Sequence, residues 1–423
     1  MKKILISDLH EVTKALENDG YKLESHRKGI VSFSKGKEKI SIALSDYIED
    51  NLKVLKPNYE NASINIVASI RKHFGKKPLY NTNPHIDELL KTNKYNHVAV
   101  LLLDGMGSYI LRKNLSEDSF LSTHKIADIS AVFPSTTACA VPALQSGLAP
   151  IETGWLGWEN YFKEINRHVI MFRNEDFYTG EKLTFNVKEK LPYDNFYSDL
   201  GVHAFELGPS FYPDGCETFA ELCNRYLAEI ALHDKSVSYL YWGEPDTTMH
   251  EMGAYSVEAK EKLEDINLML AQLSERLPDD TLLIVTADHG HIDVKPIYFT
   301  NFTDITNTLV EIPSNEGRAA FFRVKLFHKM KFVKNFKKYF GEYFKLMSKD
   351  KFINEGYLGK AKRKSNPYVS AFIGDYVAIA TDHYYFNFNP NYYSKEDDEL
   401  VFKSHHAGMT ANEMMVPLII IKK

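Results

Sequence analysis

Cysteine is scarce: Cys139, Cys216 and Cys223 are the only three in 423 residues. The number is odd and no two form a Cys-x-x-Cys pair, which argues against a disulfide framework and a cysteine-based zinc site. Reduced thiols in a cytoplasmic protein are the expectation. Long apolar runs are missing as well. The start, MKKILISDLH, is basic but reaches Ser7 after a short apolar run, too little for a signal peptide. Nowhere does an apolar stretch approach the length of a membrane span. A strong excess of one charge is also absent. The net charge of −5 implies no polyanion-binding surface, so no nucleic-acid polymer is expected as a partner. Internal repeats are not evident. What remains is the composition of a globular chain, 44% hydrophobic and 25% charged. Its length exceeds one ordinary core and predicts a large main domain with appendages.

Residues 1–75 read as a small α+β N-terminal region. ILIS, GIVSFS and KISIAL are short strand-like runs, and NASINIVASIRKHFG is a helix closed by Gly75. From residue 97 the pattern changes. VAVLLL (98–103), SVSYLYW (236–242) and TLLIVTA (281–287) are near-continuous apolar runs, as in strands covered on both faces. Helical stretches lie between them, among them 259–277 with Leu263, Ile266, Leu270, Leu273 and Leu277 on one face. The alternation predicts an α/β core with a mostly parallel central sheet flanked by helices, over 76–300 and 371–423. A cap insert is expected at 301–370. Within it, residues 329–351 read as a basic, aromatic, amphipathic helix, either with solvated lysines or facing an anionic substrate or membrane surface.

Each apolar run of the core ends in ligand-type side chains. VAVLLL runs into Asp104 of LLLDGMG, and SVSYLYW into Asp246 and His250 of EPDTTMH. TLLIVTA runs into Asp288 and His289, and SHHAGMT near the C-terminus supplies His405 and His406. In an open parallel sheet ligands bind at the carboxyl ends of the strands, so these residues are expected to share one crevice. Mixed carboxylate and imidazole suits zinc, manganese or iron rather than calcium. The number of ligands exceeds one tetrahedral ion and fits two. Asp246 and His250 share one face if they open a helix. Gly105, Gly107 and Gly290 allow sharp turns beside the ligands. A hydroxyl in AVFPSTTACAVPALQSGLAP, at the start of a helix near Thr137, meets the positive end of the helix dipole. Ser135, Thr136 and Thr137 are all candidates, an N-cap and its turn being the plainer reading.

Taken together and in order, these motifs resemble the alkaline phosphatase superfamily, and within it the type I phosphodiesterase/nucleotide pyrophosphatase branch. The resemblance covers about 95–300 and 370–423. It implies an alkaline-phosphatase-like core and one metal site of Asp104, Thr137, Asp288 and His289. A second site would hold Asp246, His250 and His406. Pro134, Thr137 and Gly147 match the family's Pro-x-x-Thr and later Gly, which favours Thr137 as nucleophile. His406 is preferred over His405 because His406-Ala-Gly-Met-Thr resembles the family's His-Gly-Gly-type segment. A cytoplasmic subgroup also looks similar at GWLGW, IGDYVAIA and EMMVP. One departure is Ala140, where the nucleotide branch carries Asn. His291 and Asp293 receive no role from the resemblance and read as loop residues, with support of the ligands from behind as the lesser alternative.

The implied reaction is hydrolysis of a small phosphate ester, nucleotide-like ones included, through a phosphothreonine on Thr137. Two divalent ions assist, zinc favoured and manganese the alternative. Trp155 and Trp158 offer faces for a base or other flat group, or else pack the cap. Three rivals stand beside this reading. One is a phosphomonoesterase, phosphonate hydrolase or mutase of the same superfamily. Another is a calcineurin-like metallophosphoesterase, suggested by KILISDLH but lacking Gly-Asn-His. The third is a catalytically silent binding protein on this scaffold.

Overall fold

The computed structural model describes residues 2–45, 47, 52–388 and 401–423. Parts of the expected N-terminal region (1, 46, 48–51) and of the C-terminal core segment (389–400) lie outside the described residues.

The main sheet is built from β1 (His97–Leu103), β2 (Lys125–Ser130), β3 (His203–Leu207), β4 (Ser236–Trp242), β5 (Thr281–Thr286) and β6 (Met415–Lys422). Their order is β3-β4-β1-β5-β6-β2. The first four of that order run parallel, while β6 is antiparallel to both neighbours. Every residue of β1 and β5 is buried, because helices cover both faces of these central strands. Each enclosed Leu, Ile or Val side chain contributes about 1.5–3 kcal/mol over its exposed state. The helices that position the site are α1 (Thr137–Ser146), α2 (Phe219–Ile230), α3 (Asp246–Met252) and α4 (Val257–Arg276). In α4 the expected stripe is real: Leu263, Ile266, Leu270 and Leu273 are all buried. The fold is thus α/β with a mostly parallel sheet.

The second half of the molecule departs from the sequence reading. A seven-stranded sheet takes strands from Glu159–Asp176, Ser314–Phe322, Phe344–Ser348 and Tyr376–Ala380. It reaches beyond the expected 301–370 insert on both sides, and IGDYVAIA serves it rather than the main sheet. The basic segment is not one helix over 329–351. It is helical over Lys329–Phe340 and then turns at Gly341 into the strand Phe344–Ser348, where Phe344 and Met347 are buried. Packing in a sheet overrides the helical periodicity there.

The N-terminal four-stranded sheet shares its core with this half: Ile6, Leu9 and Phe33 lie in one cluster with Phe299, Phe322, Phe336 and Phe386. The helix Ser63–His73 does not belong with that sheet. Its Ile64, Ile66, Val67 and Ile70 pack in the main core. Among the described residues no helix is long and apolar enough to cross a membrane.

Candidate active site

The carboxyl ends of β1, β4 and β5 deliver Asp104, Asp246 and Asp288 to one place. Gly105 follows Asp104 with φ +72°, and a side chain there would press on Asp246 Cα at 3.1 Å. Gly107 and Gly290 pack so closely that a Cβ on Gly107 would collide with Gly290 Cα. These two turns let the first and third ligand loops touch.

Two groups of potential ligands result. Asp104, Asp288 and His289 form one, fully buried, and Asp246, His250, His291 and His406 form the other. Asp246 opens α3 and His250 follows one turn later, with Nε2 3.5 Å from Asp246 Oδ1. His406 Nε2 is 3.7 Å from the same oxygen and His291 Nε2 is 2.5 Å from it. His289 Nε2 links the groups, 3.3 Å from Asp104 Oδ1, 3.5 Å from Asp288 Oδ2 and 4.0 Å from Asp246 Oδ1.

The opposite nitrogen of each ring is tied outward. His250 Nδ1 meets the Ser404 carbonyl at 2.9 Å, His406 Nδ1 the Ser135 carbonyl at 3.2 Å, and His289 Nδ1 the Gly290 carbonyl at 3.2 Å. His291 Nδ1 lies 2.9 Å from Ser404 Oγ, whose own proton goes to Met249 O. A carbonyl only accepts, so in these bonds Nδ1 donates. His291 Nε2 is hydrogen-bonded to Asp246 Oδ1, whereas in neutral His250 and His406 rings Nε2 is a lone pair that faces that oxygen from 3.5 Å and 3.7 Å. Acceptor opposes acceptor, and a cation between them satisfies both. Outward-anchored imidazoles of this kind are the usual surroundings of a metal ion.

Charge argues the same way. Burial pushes the Asp104 and Asp288 carboxyls up, Asp288 well up, and neighbouring carboxylates add to it. Asp288 Oδ2 is buried without a hydrogen-bond partner. Burial works to lower His289, but the carboxylates of Asp288 and Asp104 outweigh it and raise the ring to about 10. Burial holds His250 below its ordinary value, and His291 and His406 well below, in the neutral form a metal needs. The donor set therefore fits divalent transition-metal ions. Tyr241 donates to Asp104 Oδ2 and helps hold it.

The three hydroxyls left open by the sequence are sorted by their partners. Ser135 Oγ donates to Gly408 O at 2.8 Å, and Thr136 Oγ1 to Glu316 Oε1 at 2.8 Å. Only Thr137, the first residue of α1, faces the ligands. Its Oγ1 is 3.2 Å and 3.3 Å from the two Asp104 oxygens and 3.1 Å from His289 Nε2.

One expectation needs correction and several roles were missed. Trp155 is no stacking platform: it is fully buried, its indole N–H donates to Leu191 O at 3.0 Å, and Phe172 and Tyr193 enclose it. Trp158 is half-buried, with the Arg173 guanidinium 5.6 Å from its ring and its backbone N–H on Glu316 Oε1 at 2.6 Å. His291 is no plain loop residue. The pattern Asp-His-Gly-His carried the signal, since a residue two after His289 can reach the same crevice. His405 is buried but joins neither ligand group, its ring lying against Tyr385 and Phe402. Asp293 accepts from Ala254 N at 2.8 Å. His10 of the N-terminal KILISDLH hydrogen-bonds Thr303 instead of joining a ligand group. Missed too was the anchor of the His406 loop. Glu413 takes both Arg318 Nε (2.6 Å) and Nη2 (2.8 Å), together with Gly408 N and Thr410 Oγ1.

Known proteins give the arrangement its context. A family model described as type I phosphodiesterase/nucleotide pyrophosphatase matches residues 98–408. Murine ectonucleotide pyrophosphatase/phosphodiesterase 5 shares the fold with a TM-score of 0.55 at 17% identity, over 77% of this chain and 88% of that one. An inactive threonine-to-alanine form of the same murine protein, in complex with AMP, gives 0.54 at 17% identity over 76% and 87%. The human protein gives 0.52 at 16% identity over 77% and 87%. No curated protein matches. The matched segment spans most of the chain and carries every residue of both ligand groups, and the chain belongs to the type I phosphodiesterase/nucleotide pyrophosphatase family, a family of phosphoric ester hydrolases.

Proposed function

We propose that this chain hydrolyses phosphodiesters through a covalent phosphothreonine on Thr137, at a site for two divalent metal ions. The observation that carries the reading is the sorting of hydroxyls. Ser135 and Thr136 are spent on buried hydrogen bonds, while Thr137 Oγ1 stands 3.1 Å from His289 Nε2 and 3.2 Å from Asp104.

Asp104, Asp288, His289 and Thr137 would hold one ion, and Asp246, His250 and His406 the other, with His291 against Asp246. When bound, such a pair of ions, zinc before manganese, neutralises charge on the attacking and leaving oxygens of an in-line displacement. The chain's own residues do the rest. Helix α1 fixes Thr137 Oγ1 beside the ligand groups. Thr137 Oγ1 bonds to phosphorus as the ester oxygen departs, and the departing alcohol carries a proton away. Water then cleaves the phosphothreonine, which returns the hydroxyl. Splitting the displacement in two lowers each barrier.

One feature favours a diester. Among the described residues, no lysine or arginine is hydrogen-bonded or ion-paired to Thr137, the three aspartates or His250, His289, His291 and His406. A monoester's doubly charged phosphoryl group calls for such cations. The AMP bound by the murine relative supports a nucleotide-like ester, and Trp158, next to Glu316 and Thr136, is the aromatic residue we assign to its flat group. Cys139, Cys216 and Cys223 are unpaired and buried, which supports a cytoplasmic setting.

The test compares turnover of bis-p-nitrophenyl phosphate and p-nitrophenyl phosphate with zinc or manganese added. The diester is expected to be preferred, and Thr137→Ala to lower its turnover on the order of 10³-fold or more. Monoester preference, or a fully active Thr137→Ala, would overturn the proposal.

A further inference from the structure

At the opposite ends of the same strands lies a third cluster of ligand-type residues. His203 is the first residue of β3, Glu229 sits in the last turn of α2, and His233 follows in the turn leading to β4. His203 Nε2 is 2.9 Å from Glu229 Oε1, and His233 Nε2 is 3.6 Å from that same oxygen. The two imidazoles are stacked, centroids 3.5 Å apart and 17° from parallel. Phe205 covers the neighbourhood of His203 with a second stacked contact at 5.6 Å. Side-chain exposures of 32%, 36% and 33% leave the cluster open to water.

We propose that His203, Glu229 and His233 form a separate binding site for a divalent transition-metal ion such as zinc. As an ion pair the cluster is incomplete: His203 reaches Glu229 within hydrogen-bond distance, whereas 3.6 Å is too long for His233. As a metal site its donor atoms are close to the needed spacing, and the two rings must splay from their stack to aim both lone pairs at one ion. An ion at about 2.0–2.1 Å from tetrahedral ligands holds them about 3.3–3.4 Å apart, and the two observed separations, 2.9 Å and 3.6 Å, straddle that spacing. Two imidazoles and a carboxylate suit zinc rather than calcium or magnesium. Solvent completes the coordination.

The site is distinct from the crevice around Thr137. The strands run from one to the other, so the separation is about 20 Å, the length of a seven-residue strand. Its physical effect is structural. β3 is the edge strand of the main sheet, and an ion shared with α2 clips that edge to the helix behind it. The inference does not depend on the proposed reaction.

The test dialyses the purified full chain against fixed free Zn(II) and counts bound zinc in wild type, His203→Ala and His233→Ala. Wild type is expected to retain one equivalent more than either variant, whatever number the catalytic crevice holds. Diester turnover, used as a folding reporter, is expected to stay within about twofold. Should His203→Ala disturb β3, His233→Ala in the exposed turn still gives the count. Zinc is also expected to raise the thermal midpoint of wild type further than that of His233→Ala, because it binds the folded chain alone. Equal zinc content in wild type and His233→Ala would overturn the proposal. A failed turnover assay with the difference of one equivalent intact would count against the phosphodiesterase reading alone.

Discussion

The two ends of the main sheet carry chemically similar residues in opposite physical settings. At the carboxyl ends, carboxylates and imidazoles are buried, with only Asp246 and His250 of the two ligand groups part-exposed at 15%, and every ring of those groups is fixed by a bond at Nδ1. At the amino ends, His203, Glu229 and His233 are about one-third exposed and steadied by ring stacking. Burial is what separates them. Two buried acids with a third beside them are costly unless protons or a cation join them, which favours the metal ions proposed there. A surface cluster pays little for being empty, so its demand is weak.

The sharpest way to break this contrast is to remove an acid from the crevice. Asp288→Ala should cost turnover on the order of 10³-fold or more. Yet the metal-free chain should melt no lower than wild type, because burial and Asp104 already disfavour the charged Asp288. A metal-free protein that melts well below wild type would show the carboxylate stabilising the fold rather than awaiting an ion. Next comes the support of the His406 loop. Glu413→Ala leaves Arg318, fully buried, with two backbone carbonyls but no carboxylate partner, and should cost about 3–5 kcal/mol in denaturant unfolding. A change under about 1 kcal/mol would show that other bonds hold the loop.

A smaller effect is expected at His291. His291→Gln should weaken metal affinity or turnover about 10–100-fold, the usual cost of losing a group that orients a ligand. No change in either would return His291 to the status of a bystander. The smallest effect concerns Glu316, which burial pushes up from 4.5 to about 7. Between those values the folded chain holds a proton that the unfolded chain has released. The contribution of Glu316 to stability should therefore fall as pH rises from about 4.5 through about 7, and the stability of wild type minus that of Glu316→Gln should shrink across that window. Profiles of wild type and Glu316→Gln that run parallel across this window would contradict the burial argument.

The core and most of the site were legible in the sequence for one reason. A strand buried on both faces must be apolar throughout, so the ligands that end it stand out, as in LLIVTADHG. His291 escaped because it falls beyond the strand, where a residue's facing is set by a backbone turn around Gly290. Glu316 and Tyr241 escaped because their roles depend on partners far along the chain, Thr136 and Asp104. Trp155 stayed open between stacking and packing because composition does not say which side of a loop is buried. The seven-stranded sheet was hidden for a related reason. Its strands come from four separate segments, and the basic run 329–351 keeps a helical spacing past Gly341 although sheet packing takes over there.

The most direct measurement is to quench the enzyme with acid during turnover of a diester and locate any covalent phosphoryl group by mass spectrometry. The account predicts a phosphoryl or phosphoester adduct on the peptide containing Thr137, absent from Thr137→Ala, which no longer turns over. Undiminished hydrolysis by Thr137→Ala with no adduct on Thr137 in wild type would contradict it.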